Sequence, residues 1–311
     1  MTILLQLLLL ALGFVLLVKG ADWFVEGASG IADKLGIPQL VIGLTIVAMG
    51  TSAPEAAVSI TAALGGNADI TIGNIVGSNI LNIFIILGIA STITSIAVAK
   101  TTIRYEIPIM LAITGLLLVF GLDGYIRLWE GLLLLVCFVG YLLYMLVMTK
   151  KGLMQAEEME TKEWPVWKMI VMGIIGLALI IVGSDLTVDA ATKLATLFGM
   201  SERFIGLTIV ALGTSLPELF TSVIAARKGK ADIAIGNIVG SNIFNILFVV
   251  GISALITPVS FAAGFVIDTI VSIAAGVILL LCVLRNKKLS RPGGILMLAC
   301  YAAYFVYLLM K

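Results

Sequence analysis

An apolar run that occurs twice constrains this chain more than any other feature. Residues 43–89 read GLTIVAMGTSAPEAAVSITAALGGNADITIGNIVGSNILNIFIILGI, and residues 206–252 read GLTIVALGTSLPELFTSVIAARKGKADIAIGNIVGSNIFNILFVVGI. The two align in register at an offset of 163 residues and are about two-thirds identical, the signature of a fold built from a repeated unit. Each copy carries an acid directly after a proline, Glu55 after Pro54 and Glu218 after Pro217. A carboxylate at membrane depth costs a few kcal/mol or more, so an acid inside such a run marks a functional site by default.

That the run lies in a membrane follows from the rest of the chain. Of 311 residues 61% are hydrophobic and 12% charged, and the mean hydropathy is +1.18, against about 45–50% apolar and 25% charged in soluble domains. The apolar stretches are long and lack a period of two, which argues for helices and against an outer-membrane barrel. At about 20 apolar residues per crossing, spans fall near 3–32, 38–64, 70–94, 105–121, 126–148, 168–196, 202–226, 232–256, 262–284 and 293–310. The expected fold is therefore an all-α polytopic membrane protein of ten transmembrane helices. Its first five-helix repeat covers 1–148 and its second 169–311, joined by a polar linker over 149–168. The apolar N-terminus lacks a basic leader and a cleavage site and reads as the first span.

Basic residues in short loops set orientation. Loops after odd-numbered helices hold 14 of them (Lys34; Lys100 and Arg104; Lys150, Lys151, Lys162 and Lys168; Arg227, Lys228 and Lys230; Arg285, Lys287, Lys288 and Arg291), and the other face holds four, Arg127, Lys193, Arg203 and Lys311. This bias puts both termini outside the cell, in the plasma membrane, and the linker in the cytoplasm. A half with five spans emerges on the far side, so the second copy is inverted relative to the first. Inverted repeats are the architecture of alternating-access transporters, with the substrate between the halves near the midplane.

The chemistry inside the repeat points to a hard cation. Pro54 cannot donate to the carbonyl of Gly50 and its ring crowds that turn, so the helix should kink or break there, freeing carbonyls from Ala48 to Gly50 as ligands. Thr51 and Glu55 stand four apart on one face with Ser52 beside them, and Ala211, Thr214, Ser215 and Glu218 repeat the pattern. In GNIVGSNxxN, Ser78 with Asn82, and Ser241 with Asn245, also stand four apart, while Gly73, Gly77, Gly236 and Gly240 keep that helix narrow. Bringing the copies together yields two carboxylates, several hydroxyls, amide oxygens and carbonyls, a donor set suited to Ca²⁺. The chain has no His, and Cys137, Cys282 and Cys300 lie in apolar runs as small buried residues, which argues against sites for zinc, copper or iron and excludes His-based catalysis. Ca²⁺ and either Na⁺ or H⁺ would compete for the two acids.

With GTSAPE and GNIVGSNILN in one half and GTSLPE and GNIVGSNIFN in the other, the chain closely resembles the sodium/calcium exchanger family of the calcium/cation antiporters, over essentially its whole length. The resemblance implies a secondary antiporter exchanging Ca²⁺ for Na⁺, with helices two, three, seven and eight around the site and helices one and six sliding across them. It implies Ca²⁺ ligands at Thr51, Glu55, Thr214 and Glu218, further Na⁺ contacts at Ala48, Ser52, Ser78, Ala211, Ser215 and Ser241, and central polar positions at Asn82 and Asn245. Some relatives carry Asp at one of the central positions, whereas both are Asn here.

Plainer roles are expected elsewhere. Asn79 and Asn242 read as hydrogen bonds between helices, and Asn74 and Asn237 as structural. Asp22, Glu26, Asp185 and Asp189 belong at a membrane surface or vestibule, and the basic loops reflect orientation. The expected partners are membrane lipid and the transported cations, with no nucleic acid, organic cofactor or protein partner, and a functional monomer. A Ca²⁺/H⁺ exchanger using the same glutamates is the alternative. A passive channel would not need matched inverted half-sites, and an enzyme would need a nucleophile with a base or a phosphate loop.

Overall fold

The computed structural model describes residues 3–150, 164–199 and 211–310. Its helices are α1 (Ile3–Leu35), α2 (Gln39–Thr51), α3 (Ala53–Leu64), α4 (Ile70–Ile93), α5 (Thr102–Gly121), α6 (Leu128–Lys150), α7 (Val166–Leu197), α8 (Leu216–Arg227), α9 (Ala231–Ile256), α10 (Ala263–Leu284) and α11 (Arg291–Met310). Among the described residues eight helices are long and apolar enough to cross a membrane, and α2 and α3 meet the same test only when taken together across a bend. The expected span at 202–226 is described only from Ala211–Gly213 onward, and most of the 149–168 linker lies outside the described residues.

The break in the second span follows from its proline. The chain bends by 49° between α2 and α3, and Ser52, at φ −82° and ψ 9°, leaves the helical basin two residues before Pro54. Ser215 takes the same conformation, φ −90° and ψ 4°, before Pro217. α3 and α8 therefore start at the same place in each copy, with Glu55 and Glu218 in their first turns.

α4 and α9 form the centre. Their most apolar windows are 72% and 83% buried, against 11–33% for the other long spans. Around them runs a core that includes Ile72, Ile75, Ile80, Ile235, Ile238 and Ile243. α9 lies close on α2 because Gly236 and Gly240 carry no side chain there: a Cβ on Gly240 would sit 2.5 Å from the carbonyl oxygen of Leu44.

α1 and α7, 33 and 32 residues long, are about 50 Å each at 1.5 Å per residue, well beyond a hydrocarbon core of about 30 Å. They pack antiparallel through glycine. Gly13 faces Gly183 and Thr187, Gly20 faces Gly176 and Ile180, and Gly27 faces Met169 and Gly173. A Cβ on Gly20 would lie 2.8 Å from the Gly176 oxygen and the Ile180 nitrogen, both backbone atoms that cannot move aside alone. Gly20→Leu is therefore expected to destabilise the protein by about 1–3 kcal/mol. Gly140→Leu, at an exposed glycine with nothing within 4 Å, should leave the melting temperature in detergent unchanged.

Three features depart from the expectations. The spans are helical, yet four two-residue strands occur: β1 (Ile96–Ala97), β2 (Tyr125–Ile126), β3 (Val259–Ser260) and β4 (Lys288–Leu289). β1 pairs antiparallel with β4, and β2 with β3, so each ribbon ties a loop of one half to a loop of the other. Such strands are too short to leave a period-two pattern in the sequence. Secondly, Cys137, Cys282 and Cys300 are half-buried rather than buried, and free. Thirdly, the Ala48 carbonyl is not freed by Pro54. It accepts the Ser52 N–H at 3.0 Å and the hydroxyls of Thr51 at 3.3 Å and Ser241 at 3.4 Å, because the donor that Pro54 lacks would have served Gly50, two residues further on.

Candidate cation site

Glu55 and Glu218 are both fully buried, and each is held by serines from both halves. Ser52 Oγ donates to Glu218 Oε1 at 2.7 Å, and Ser78 Oγ donates to Glu55 Oε1 at 3.2 Å. Ser78 and Ser215 share a hydrogen bond of 3.1 Å, and the Ser215 hydroxyl also reaches Glu55. Thr51 and Ser241 add hydroxyl contacts to Glu218. The two carboxylates thus belong to one hydroxyl-lined site, each at the N-terminus of a 12-residue helix whose dipole favours negative charge.

A network of asparagines frames this site. Where α4 crosses α9, Asn79 Nδ2 donates to the Asn242 carbonyl and Asn242 Nδ2 to the Asn79 carbonyl, both at 3.2 Å. Asn82 Nδ2 donates to Asn242 Oδ1 at 2.9 Å and Asn245 Nδ2 to Asn79 Oδ1 at 3.0 Å. With its amide donor tied back in this way, each central Asn has its Oδ1 left over. The backbone widens to π-helix from Asn82 to Leu87 and from Asn245 to Val250, a local distortion common at functional sites. Lower down, Asn74 Nδ2 bonds Ser59 Oγ at 3.0 Å and the Glu55 carbonyl at 3.2 Å, while Asn237 Nδ2 bonds Ser222 Oγ at 2.9 Å. Asn237 Oδ1 also accepts the Thr51 hydroxyl at 3.0 Å. The expected between-helix role of Asn79 and Asn242 and the structural role of Asn74 and Asn237 are what these bonds perform.

Of the twelve buried side-chain polar atoms without a hydrogen-bond partner among the described residues, four belong to the paired glutamates and the central asparagines: Glu55 Oε2, Glu218 Oε2, Asn82 Oδ1 and Asn245 Oδ1. They are two pairs related by the 163-residue offset. Buried polar atoms are otherwise satisfied in about 90% or more of cases, and each orphan costs about 1–3 kcal/mol. All four are acceptors, so the group that satisfies them carries positive charge or donates hydrogen. Two carboxylates and two amide oxygens, ringed by hydroxyls, form a donor set for a hard cation.

The remaining expected residues divide by side. Ser52, Ser78, Ser215, Ser241, Thr51, Asn82 and Asn245 are all buried around the glutamates. Ala48 joins through its carbonyl. Ala211 starts the short turn Ala211–Gly213, and its side chain lies outside the described residues. Thr214, by contrast, is half-exposed where its counterpart Thr51 is fully buried. It lines a cavity of about 670 Å³ with Pro54, Ser184, Asp185, Asp189 and Gly213. The equivalent acids of the first half are engaged: Lys228 Nζ lies 2.6 Å from Asp22 and 3.5 Å from Glu26. Thr214 therefore borders open space where Thr51 is sealed, and the acids equivalent to Asp185 and Asp189 are paired to a lysine rather than free to face that space. Asn237 and Ser184, whose hydroxyl holds the Gly213 carbonyl at 2.8 Å, were absent from the residues expected at the site. Their signal was in the sequence for Asn237, a duplicated position of GNIVGSN, and not for Ser184.

Comparison with known proteins adds an independent line. The family model described as "Sodium/calcium exchanger protein" matches twice, over residues 5–147 and 168–310. The sodium/calcium exchanger MaX1 of Methanosarcina acetivorans is 34% identical, with 97% of each chain covered. The inner membrane protein YrbG of Escherichia coli is 37% identical over 96% of this chain and 95% of its own. A solved structure of the sodium-calcium exchanger NCX_Mj, soaked with zero Na⁺ and Ca²⁺, superposes with a TM-score of 0.86 at 34% identity, covering 99% of this chain and 100% of that one. Buried paired glutamates, a helical membrane fold and full-length likeness agree, and the chain belongs to the sodium/calcium exchanger protein family.

Proposed function

We propose that the chain is an antiporter that exchanges Ca²⁺ for Na⁺ by alternating access, with both ions competing for the oxygens around Glu55 and Glu218. The observation that carries this reading is the set of four buried acceptor oxygens without partners. Ca²⁺ takes about 6–8 oxygens at roughly 2.3–2.6 Å, and the glutamates with Asn82, Asn245, Thr51 and Thr214 supply that number. Na⁺ ions would draw further on Ser52, Ser78, Ser215, Ser241 and the carbonyls of Ala48 and Ala211. Because one set of acids serves both ions, loading one expels the other. An empty site with two ionised carboxylates at that depth is costly, so the change of face is confined to loaded states. Membership in a family of exchangers supports cation antiport and an integral membrane location; it gives no support to an enzyme.

In this reading the fold is ten transmembrane helices in two inverted five-helix repeats, 1–148 and 169–311, joined by the cytoplasmic linker 149–168, with both termini outside. The hydrogen bonds from Ser52 to Glu218 and between Ser78 and Ser215 cross between the halves, so an ion gripped by both acids stiffens the halves against each other. The site is complete within one chain, and a single copy suffices.

Vesicles loaded with Na⁺ test the exchange. Purified protein should take up Ca²⁺ when Na⁺ is diluted outside and show no uptake when a pH gradient alone is imposed. Uptake that follows an outward pH gradient and ignores Na⁺ would establish the Ca²⁺/H⁺ alternative instead.

A further inference from the structure

The two β ribbons are equivalent under the repeat yet differ sharply in charge. In the first half Gly124 has φ +95° and its carbonyl accepts the Phe261 N–H at 2.8 Å; in the second half Lys287 has φ +50° and its carbonyl accepts the Val98 N–H at 2.9 Å. These are the same bond at the same offset. Glycine takes that left-handed backbone at no steric cost and lysine does not, and Lys287 is the one non-glycine residue with positive φ among the described residues. A basic side chain is thus kept where the backbone favours glycine. Orientation bias explains the sign of a loop charge, and a less strained position would serve it equally well.

Lys287 is not alone. The β1–β4 ribbon sets Ala97 opposite Lys288, which brings the 285–291 loop against the strand leading into Lys100 and Arg104. Lys100, Arg104, Arg285, Lys287, Lys288 and Arg291 are all exposed, and none makes an ion pair among the described residues. At the equivalent positions of the other ribbon stand Ala263, Ile267, Leu122, Gly124, Tyr125 and Leu128. Lys100 and Arg104 also line a cavity of about 240 Å³ with Thr101, Tyr105 and Met148. The Arg104 guanidinium lies 5.8 Å from the centre of the exposed Tyr105 ring, and Met148 belongs to the membrane-crossing α6. The nearest acid in sequence, Glu106, is buried and bonded to the Tyr144 hydroxyl at 3.0 Å, away from the surface. This is a cationic rim with an apolar wall at the end of a span, the chemistry that receives an anionic headgroup beside its acyl chain.

We infer that the β1–β4 face binds the phosphate headgroups of anionic phospholipids. The inference requires only that the protein spans a membrane, and its readout is independent of which ions are transported and of which face is cytoplasmic. The test is native mass spectrometry of protein released from nanodiscs of equal phosphatidylglycerol and phosphatidylcholine. Wild-type protein should retain phosphatidylglycerol in clear excess. Lys287→Gly, which relieves the backbone and so preserves folding, should lower that excess about fivefold, the weight of one basic residue near an anionic surface. Adding Lys100→Gln and Arg104→Gln should abolish it, while Arg127→Gln, where the basic residue is already paired with Asp123 at 2.9 Å, should leave it intact. Equal retention of the two lipids by wild-type protein, or undiminished excess in the triple variant, would overturn the inference. Loss of the excess on adding inorganic phosphate alone would show a general anion site and overturn the lipid assignment.

Discussion

Glu55→Gln and Glu218→Gln are each expected to abolish Na⁺-driven Ca²⁺ uptake while leaving the protein folded. Each substitution keeps the side-chain volume and removes half of the formal charge that two fully buried carboxylates present. Removing one partner of a buried charge pair costs about 3–5 kcal/mol. In affinity that is on the order of a hundredfold to several thousandfold. Folding should not suffer in the absence of ions, because an unpaired buried charge is itself unfavourable and a neutral amide carries less of that burden. The two readouts therefore move separately. Radioactive Ca²⁺ uptake falls to background, the melting temperature without Ca²⁺ is equal or higher, and the shift on adding Ca²⁺ disappears. For wild-type protein that shift should correspond to about 2.7 kcal/mol at a hundred times the dissociation constant. Near-normal uptake in either variant would contradict a shared site.

The second large effect is expected at Asn79. Its side chain donates to the Asn242 carbonyl and accepts from Asn245, so Asn79→Ala strands the buried Asn245 Nδ2 donor and takes one of two bonds from the Asn242 carbonyl, which keeps the Asn245 backbone N–H. At about 1–3 kcal/mol for a stranded buried group, the loss of stability is about 1–3 kcal/mol. Asn245 would also lose the bond that orients it, so its Oδ1 is no longer directed and Ca²⁺ affinity falls as well. Since much of the penalty lies in stranding the Asn245 donor, Asn79→Ala/Asn245→Ala should be less destabilising than the sum of the single changes, by about 0.5–3 kcal/mol. Chemical or thermal unfolding of the four proteins in detergent measures that coupling. Strict additivity would mean that the two amides act independently.

What was legible in the sequence is what the duplication repeats. The offset pairing Glu55 with Glu218 also pairs Pro54 with Pro217, and from one proline the position of both breaks follows, as the matching backbone at Ser52 and Ser215 shows. The eight long spans among the described residues were legible because each needs about 20 apolar residues whatever its neighbours do. Contacts between the halves were not. The Ser241 hydroxyl on the Ala48 carbonyl and the crossing of Asn79 with Asn242 join residues more than 160 positions apart, and nothing in local spacing encodes them. Differences between the two copies of one motif were equally hidden. Thr51 and Thr214 sit in the same motif, yet one is sealed and the other borders a cavity. Lys228 is one visible trace of that difference, since its counterpart is Gly65 and it pairs with Asp22 and Glu26.

The account stands on one cation held jointly by the two halves, and anomalous diffraction from crystals soaked in Sr²⁺ or Ca²⁺ tests it most directly. The expected result is a peak within about 2.3–2.6 Å of carboxylate oxygens from both Glu55 and Glu218. A peak bound by only one of the two glutamates, or density elsewhere with none between them, would contradict it.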